Sequence, residues 1–183
     1  MRSKQQLAED YLVASARLGG KSAVSRLATL RGPGLFRHAM RLLGNADDAQ
    51  DAVQEAWIEI IKGLPGLRDD RAFAAWAYRI LTRRAARIIS ARIRDRSAID
   101  NAAQLEEISV PEAGSMAADA HAVRQAIKAL PPAHAAAISL FYLEDMSVAE
   151  VAIALDVPPG TIKTRLMHAR AKLNKALKGN LDE

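Results

Sequence analysis

Three runs of ionisable residues hold the chemistry this sequence has to offer. In the first, Asp47, Asp48, Asp51, Glu55 and Glu59 lie between Arg41 and Lys62 with no cation among them. On a helix Asp51, Glu55 and Glu59 repeat every four residues and share a face, where they repel one another by roughly 0.2–0.5 kcal/mol per pair. A basic partner would relieve that repulsion; the plainer alternative is a solvated acidic face. In the second run, Phe73 to Arg96, seven arginines (Arg79, Arg83, Arg84, Arg87, Arg92, Arg94 and Arg96) face a single Asp95. Arg79, Arg83 and Arg87 stand at i, i+4 and i+8, a like-charge stripe that a polyanion would stabilise by exchanging phosphates for counterions. Phe73 and Trp76 at its head could stack on an unpaired base, although filling a core is the commoner use of such rings.

The third run, Gly160 to Leu181, contains no acidic residue. On a helix its Ile162, Leu166, Ala169, Leu173 and Leu177 fall on one inward side. The opposite arc holds Thr164, Met167 and His168, with Lys163 and Arg170 along one border and Arg165 and Lys172 along the other. A DNA major groove has the matching layout, base edges on its floor and phosphates on its walls. Cations that merely complement the helix dipole are the alternative.

Catalysis finds little material here. Cysteine is absent, and no phosphate loop, metal-ligand cluster or Ser, His and Asp constellation can be assembled. The expectation is a binding protein without catalytic residues, metal or cofactor. The chain has 183 residues, a formal charge of +5 and 50% hydrophobic residues, enough for a packed core. No apolar run approaches the ~18 residues of a membrane span, and the N-terminus lacks a signal-peptide stretch. A cytoplasmic protein with no membrane insertion is expected.

The elements that must position these runs read as helices throughout. Apolar residues recur at helical spacing and no stretch alternates with period two, so the fold class is all-α. Breaks are expected at Gly19-Gly20, Arg31-Gly32-Pro33-Gly34, Gly44-Asn45, Leu64-Pro65-Gly66, Pro131-Pro132 and Pro158-Pro159-Gly160. Val53, Trp57, Ile60, Ile61 and Leu64 form the predicted buried stripe of the acidic helix, and Phe73, Trp76, Ala77, Ile80 and Ile88 that of the arginine helix. Ser147-Val148-Ala149-Glu150 has the form of a capping box opening a short helix, followed by a Pro-Pro-Gly turn and a longer helix. That outline is a helix-turn-helix. Between Ser97 and Asp119 the only charged residues are acidic and Pro111 and Gly114 interrupt any helix. Two small helical domains, 1–96 and 119–183, joined by a flexible acidic linker over 97–118, are predicted.

With these residues in place, the chain resembles bacterial RNA polymerase sigma factors of the extracytoplasmic function (ECF) type, within the sigma-70 family. Arg41-Leu42-Leu43-Gly44 followed by Asp48-Ala49-Gln50-Asp51-Ala52-Val53-Gln54-Glu55-Ala56-Trp57 is similar to that family's region 2.2. Phe73-Ala74-Ala75-Trp76-Ala77-Tyr78-Arg79-Ile80 is similar to region 2.3, and Gly160 to Arg170 to the recognition helix of region 4.2. The resemblance implies a sigma region 2 helical bundle and a sigma region 4 helix-turn-helix. It implies that Asp48, Asp51, Gln54 and Glu55 dock on core RNA polymerase, with the β′ and β subunits as partners. It places the promoter -10 element on Phe73, Trp76, Arg79, Arg83, Arg84 and Arg87, with the loop near Arg68 to Arg71. The -35 element falls to Lys163, Thr164, Arg165, Met167, His168, Arg170 and Lys172. The implied linker path is the polymerase's RNA exit channel, and the free chain is expected to be a monomer, with an anti-sigma factor as a further candidate partner. Arg83 and Arg87 stand where many members carry Asn and Asp, and His168 where many carry Arg. A stand-alone helix-turn-helix regulator, or a sigma mimic that titrates an anti-sigma factor, is the alternative.

Overall fold

The structure is a computed structural model that describes residues 4–98, 123 and 125–179. Among these residues every regular element is a helix, as the periodicity predicts. Helix α1 covers Lys4–Arg17, α2 Lys21–Leu43, α3 Ala46–Gly63 and α4 Phe73–Ala98. Two 3₁₀ turns, Leu64–Gly66 and Asp70–Ala72, join α3 to α4. After a helical turn over 125–128 come α5 (Pro132–Tyr142), α6 (Val148–Leu155) and α7 (Pro159–Gly179).

Local chemistry accounts for most boundaries. Gly44 closes α2 with φ 70°, a left-handed conformation that glycine adopts without penalty, and its N–H donates to the Met40 carbonyl. Asn45 then caps α3, its side chain accepting from the Asp48 N–H at 3.0 Å. The capping box is present as read: Ser147 Oγ accepts from the Glu150 N–H at 3.2 Å, and Glu150 Oε2 accepts from the Ser147 N–H at 2.8 Å.

One predicted break does not occur. Helix α2 runs straight through Arg31-Gly32-Pro33-Gly34, with Pro33 inside it. Gly32 has no Cβ to meet the proline ring, which removes part of the clash that normally bars a pre-proline residue from helical geometry. Leu27, Leu35, His38 and Ala39 are fully buried on either side of the proline, so core packing holds the helix together across it. Gly34 is required for a different reason. A Cβ there would collide with the Tyr78 hydroxyl and come within 2.8 and 2.9 Å of the Glu144 carboxylate oxygens.

The core of the N-terminal half lies between α2, α3 and α4. In α3 the buried line is Ala49, Ala52, Ala56 and Ile60, with Val53 and Trp57 packed partly against it. Ile61, predicted to be buried, is 48% exposed, because it stands ~100° round the helix from Ile60. Trp76 and Ile88 of α4 are only partly buried, while Phe73, Ala77, Tyr78, Leu81 and Ala85 complete the core. His38 is enclosed between α2 and α4, its Nε2 3.0 Å from Thr82 Oγ1 and its ring edge-on to Tyr78. Burial, helped by the Arg41 charge, lowers its pKa to about 3, so the imidazole is neutral.

The C-terminal half packs against this bundle, α6 on α4 and α5 on α2. Helix α4 extends through Ala98, so positions 97 and 98 of the expected linker are helical; residues 99–118 lie outside the described residues.

Candidate nucleic-acid and protein interfaces

Helix α3 presents Asp51, Gln54, Glu55 and Glu59 outward, opposite its alanine line. The acids do not all wait for an external cation. Arg84 of α4 lies 2.9 Å from Glu55 and 4.0 Å from Glu59, and Arg92 pairs with Asp48. Asp51 and Gln54 are exposed beside these pairs.

Two residues expected to meet nucleic acid are placed elsewhere. Phe73 is 1% exposed and belongs to the core, tilted against Trp76, so no base can stack on it in this conformation. Arg84 is turned toward α3, because it sits one residue past Arg83 and therefore ~100° off the stripe. Arg79, Arg83 and Arg87 do share a face, with Arg83 and Arg87 exposed and Arg79 half-buried. Ahead of the helix, Arg68 and Arg71 are exposed, while Asp70 is tied to Arg17 at 2.7 Å.

Asp156, the residue that ends α6, reaches this stripe. Its Oδ1 lies 2.9 Å from Arg79 Nη2 and its Oδ2 3.1 Å from Arg83 Nε. The bonded Arg83, then Arg79, hold its carboxyl below the usual carboxylate range. A short polar cap residue at φ 54° ends the helix and was legible as a turn signal. Its arginine partners, 73 and 77 residues away, were not. Glu144, after α5, was also missed: it lies 3.5 Å from Arg31 and 3.1 Å from Arg37 of α2, and Arg31 bonds Glu9 of α1 as well. Burial and the Glu144 charge raise the Tyr78 hydroxyl pKa above its ordinary value.

On α7, Ile162, Leu166 and Ala169 are buried and Leu173 packs on the core; the side chain of Leu177 lies outside the described residues. Lys163, Thr164, Met167, His168, Arg170 and Lys172 are exposed, and Arg165 is half-buried. Met167, at 58% exposed, is no core filler. Thr164 Oγ1 donates to the Gly160 carbonyl at 3.2 Å. Arg170 Nε donates to Tyr142 Oη at 2.9 Å while its guanidinium lies over the Phe141 and Tyr142 rings. The side of α7 opposite its buried line thus carries Thr164, Met167 and His168 between cationic borders, a layout that suits base edges flanked by phosphates. His168 stands beside His134, whose pKa is lowered by desolvation and by the nearby Lys172, His168 and Arg165. Among the described residues no helix is long and apolar enough to cross a membrane.

Comparison with known proteins matches this geometry. Residues 27–98 fit the model of sigma-70 region 2, and residues 120–173 that of sigma-70 region 4. The chain is 30% identical to the RNA polymerase sigma-H factor of Pseudomonas aeruginosa, over 96% of each chain. It is also 30% identical to the ECF RNA polymerase sigma-E factor of Escherichia coli, covering 93% of this chain and 94% of that one. The fold is that of the sigma factor RpoE of Bartonella quintana, solved in complex with the anti-sigma factor NepR. That likeness has TM-score 0.72 and 24% identity, over 84% of this chain and 96% of the other. CnrH, solved with the cytosolic domain of CnrY, has TM-score 0.62 at 23% identity, over 94% and 98%. An acid-bearing helix, an arginine stripe and a capped helix-turn-helix, in this order and matched along nearly the whole chain, place the protein in the ECF group of the sigma-70 family of RNA polymerase sigma factors.

Proposed function

We propose that this sigma factor joins core RNA polymerase and brings it to promoters by dividing two surfaces between two macromolecules. The α3 face with Asp48, Asp51, Gln54 and Glu55 meets the polymerase β′ and β subunits. Helix α7 reads duplex DNA of the -35 element through Lys163, Thr164, Met167 and His168, with Arg165, Arg170 and Lys172 on the phosphates. The α4 stripe, Arg79, Arg83 and Arg87 with Trp76 near its head, holds the separated -10 strand. The protein acts by binding and contributes no reaction chemistry of its own. It works in the cytoplasm, where polymerase and chromosome are, as a monomer until it meets polymerase. An anti-sigma partner is part of the proposal, since RpoE of the same fold was solved with the anti-sigma factor NepR.

The observation that carries this reading is α7: its inner line is buried, and the arc it leaves outward sets Thr164, Met167 and His168 between cationic borders. Run-off transcription with purified core polymerase tests it. The expected result is initiation at promoters that core polymerase alone ignores, and failure to stimulate any start would refute it.

A further inference from the structure

His134 has no part in the interfaces assigned above, and it stands on α5 rather than on α7. It is half-buried in the first turn of that helix, where no acidic residue stands. The His168 ring lies across from it, 6.1 Å between centroids. His168 and Lys172 follow Arg165 by three and seven residues, so the three share one face of α7. They are also the charged groups that act on His134, and none of them is acidic. Two imidazoles, a guanidinium and an ammonium thus converge at one edge of the recognition helix. The acids of the surrounding elements are engaged or distant. Glu144 and Asp145 follow the opposite end of α5, and Tyr142, the other titratable side chain of α5, accepts from Arg170. Glu150 of α6 is bound in its capping box, Asp156 lies on Arg79 and Arg83, and Arg31 and Arg37 of α2 are paired with Glu144. Arg41 of α2 and Lys128 border a cleft on the Pro132 and Ala135 side.

The two rings are not equivalent. Nδ1 of His134 is buried without a hydrogen-bond partner, and a proton placed there would leave an unsatisfied N–H inside. The form that avoids this carries its proton on Nε2, as a neutral donor. His168 is exposed and free to gain a proton. Like charges gathered this closely repel one another, and an anion between them reverses the sign. A phosphate accepts at more than one oxygen, and rings 6.1 Å apart leave room for N–H···O bonds of ~2.9 Å to each. We propose that one backbone phosphate of the -35 duplex binds between His134 and His168, His134 donating its Nε2–H as a neutral imidazole and His168 taking up a proton from solvent as DNA arrives. This rests on the assignment of α7 to DNA, and it extends the groove wall of Arg165 and Lys172 onto α5. Duplex affinity then rises as pH falls, since the bound state holds a proton that the free state holds less often.

The test uses the full-length chain, whose 4 histidines give few imidazole signals; His134→Ala and His168→Gln identify two of them. Phosphate contacts carry no sequence information, so a short DNA duplex of arbitrary sequence serves as the probe. Titrated by nuclear magnetic resonance in low salt, it should move the His168 titration to higher pH by about one unit and leave His134 neutral with its proton on Nε2. That shift corresponds to duplex binding about tenfold tighter at pH 6 than at pH 8. His168→Gln should lose this pH response, and His168→Arg should bind tightly at both pH values. His134→Ala should weaken binding about three- to tenfold at both while keeping the response. A His168 titration unmoved by duplex, or His134→Ala without effect on affinity, overturns the site. Should His134→Ala not fold, the parent decides: a His134 Nε2–H signal that duplex leaves in place refutes the contact. Inorganic phosphate that moves both rings as far as duplex does would make this a free-anion site and overturn the DNA assignment. Failure of the promoter reading would appear separately, as absent transcription with core polymerase, while the titration would still report whether duplex enters the site.

Discussion

Arg84 lies 2.9 Å from Glu55, and this pair ties the helix assigned to the -10 strand to the helix assigned to polymerase. Arg92 and Asp48 repeat the connection nearer the start of α3. The acidic face is therefore not a uniform field awaiting a partner. Part of it is neutralised from within, and Asp51 and Gln54 face outward beside the neutralised part.

Placing positive charge at Asp51 and Gln54 should then separate docking from folding. Asp51→Arg with Gln54→Arg is expected to abolish capture of core polymerase while helical circular dichroism stays at the parental level. Glu55→Arg is a poorer probe, since it would set a second cation against Arg84. Undiminished capture by the double variant would contradict the docking surface.

Lys163 is exposed on α7, so Lys163→Ala should leave the melting temperature unchanged and weaken binding to promoter duplex. If it meets a phosphate, the slope of log affinity against log salt falls by about one. Titrating duplex binding across a salt series measures both. An unaltered slope would remove the phosphate contact.

The buried His38 makes stability depend on pH in a defined direction. The unfolded chain protonates this imidazole near 6.5 and the folded chain only near 3. The unfolded state binds more protons between those values, so this contribution is complete above about pH 6.5 and declines as pH falls, by up to about 1.4 kcal/mol per unit. Urea unfolding midpoints from pH 7 to pH 4 should fall for the parent and fall less steeply for His38→Gln. Equal slopes would show that the histidine is not the titrating group.

Adjacent positions of α2 should respond oppositely to alanine. Gly34→Ala meets the Tyr78 hydroxyl and the Glu144 carboxylate, and Tyr78 is buried and cannot retreat, so a loss of about 1–3 kcal/mol is expected. Pro33 is exposed within the helix, and Pro33→Ala restores a backbone donor, with a gain of up to about 3 kcal/mol. Denaturant midpoints of the two variants settle the signs.

What could be read from the sequence was local. The Ser147 and Glu150 box, the Gly44 and Asn45 junction and the buried line Ile162, Leu166 and Ala169 depend on residues within a few positions of one another, and each formed as read. The errors lie where distant chain decides. Pro33 is helical because its neighbours are buried against α4 and α3, and Ile61 is exposed because α3 approaches its partners through alanines rather than through its largest apolar residues. Phe73 matched a base-stacking position by type, but only the core around it shows which use prevails. The ion pairs of Glu144 and Asp156 carried no signal, since their arginine partners are 73 or more residues away.

The central claim is that α3 and α7 serve different macromolecules in one initiating complex. Photocrosslinking amino acids placed singly at Asp51 and at Lys163, in the complex with core polymerase and promoter DNA, test it directly. The account predicts that the first attaches to a polymerase subunit and the second to DNA. A complex that forms with the Asp51 probe attached to nothing, or with both probes on the same macromolecule, would contradict it.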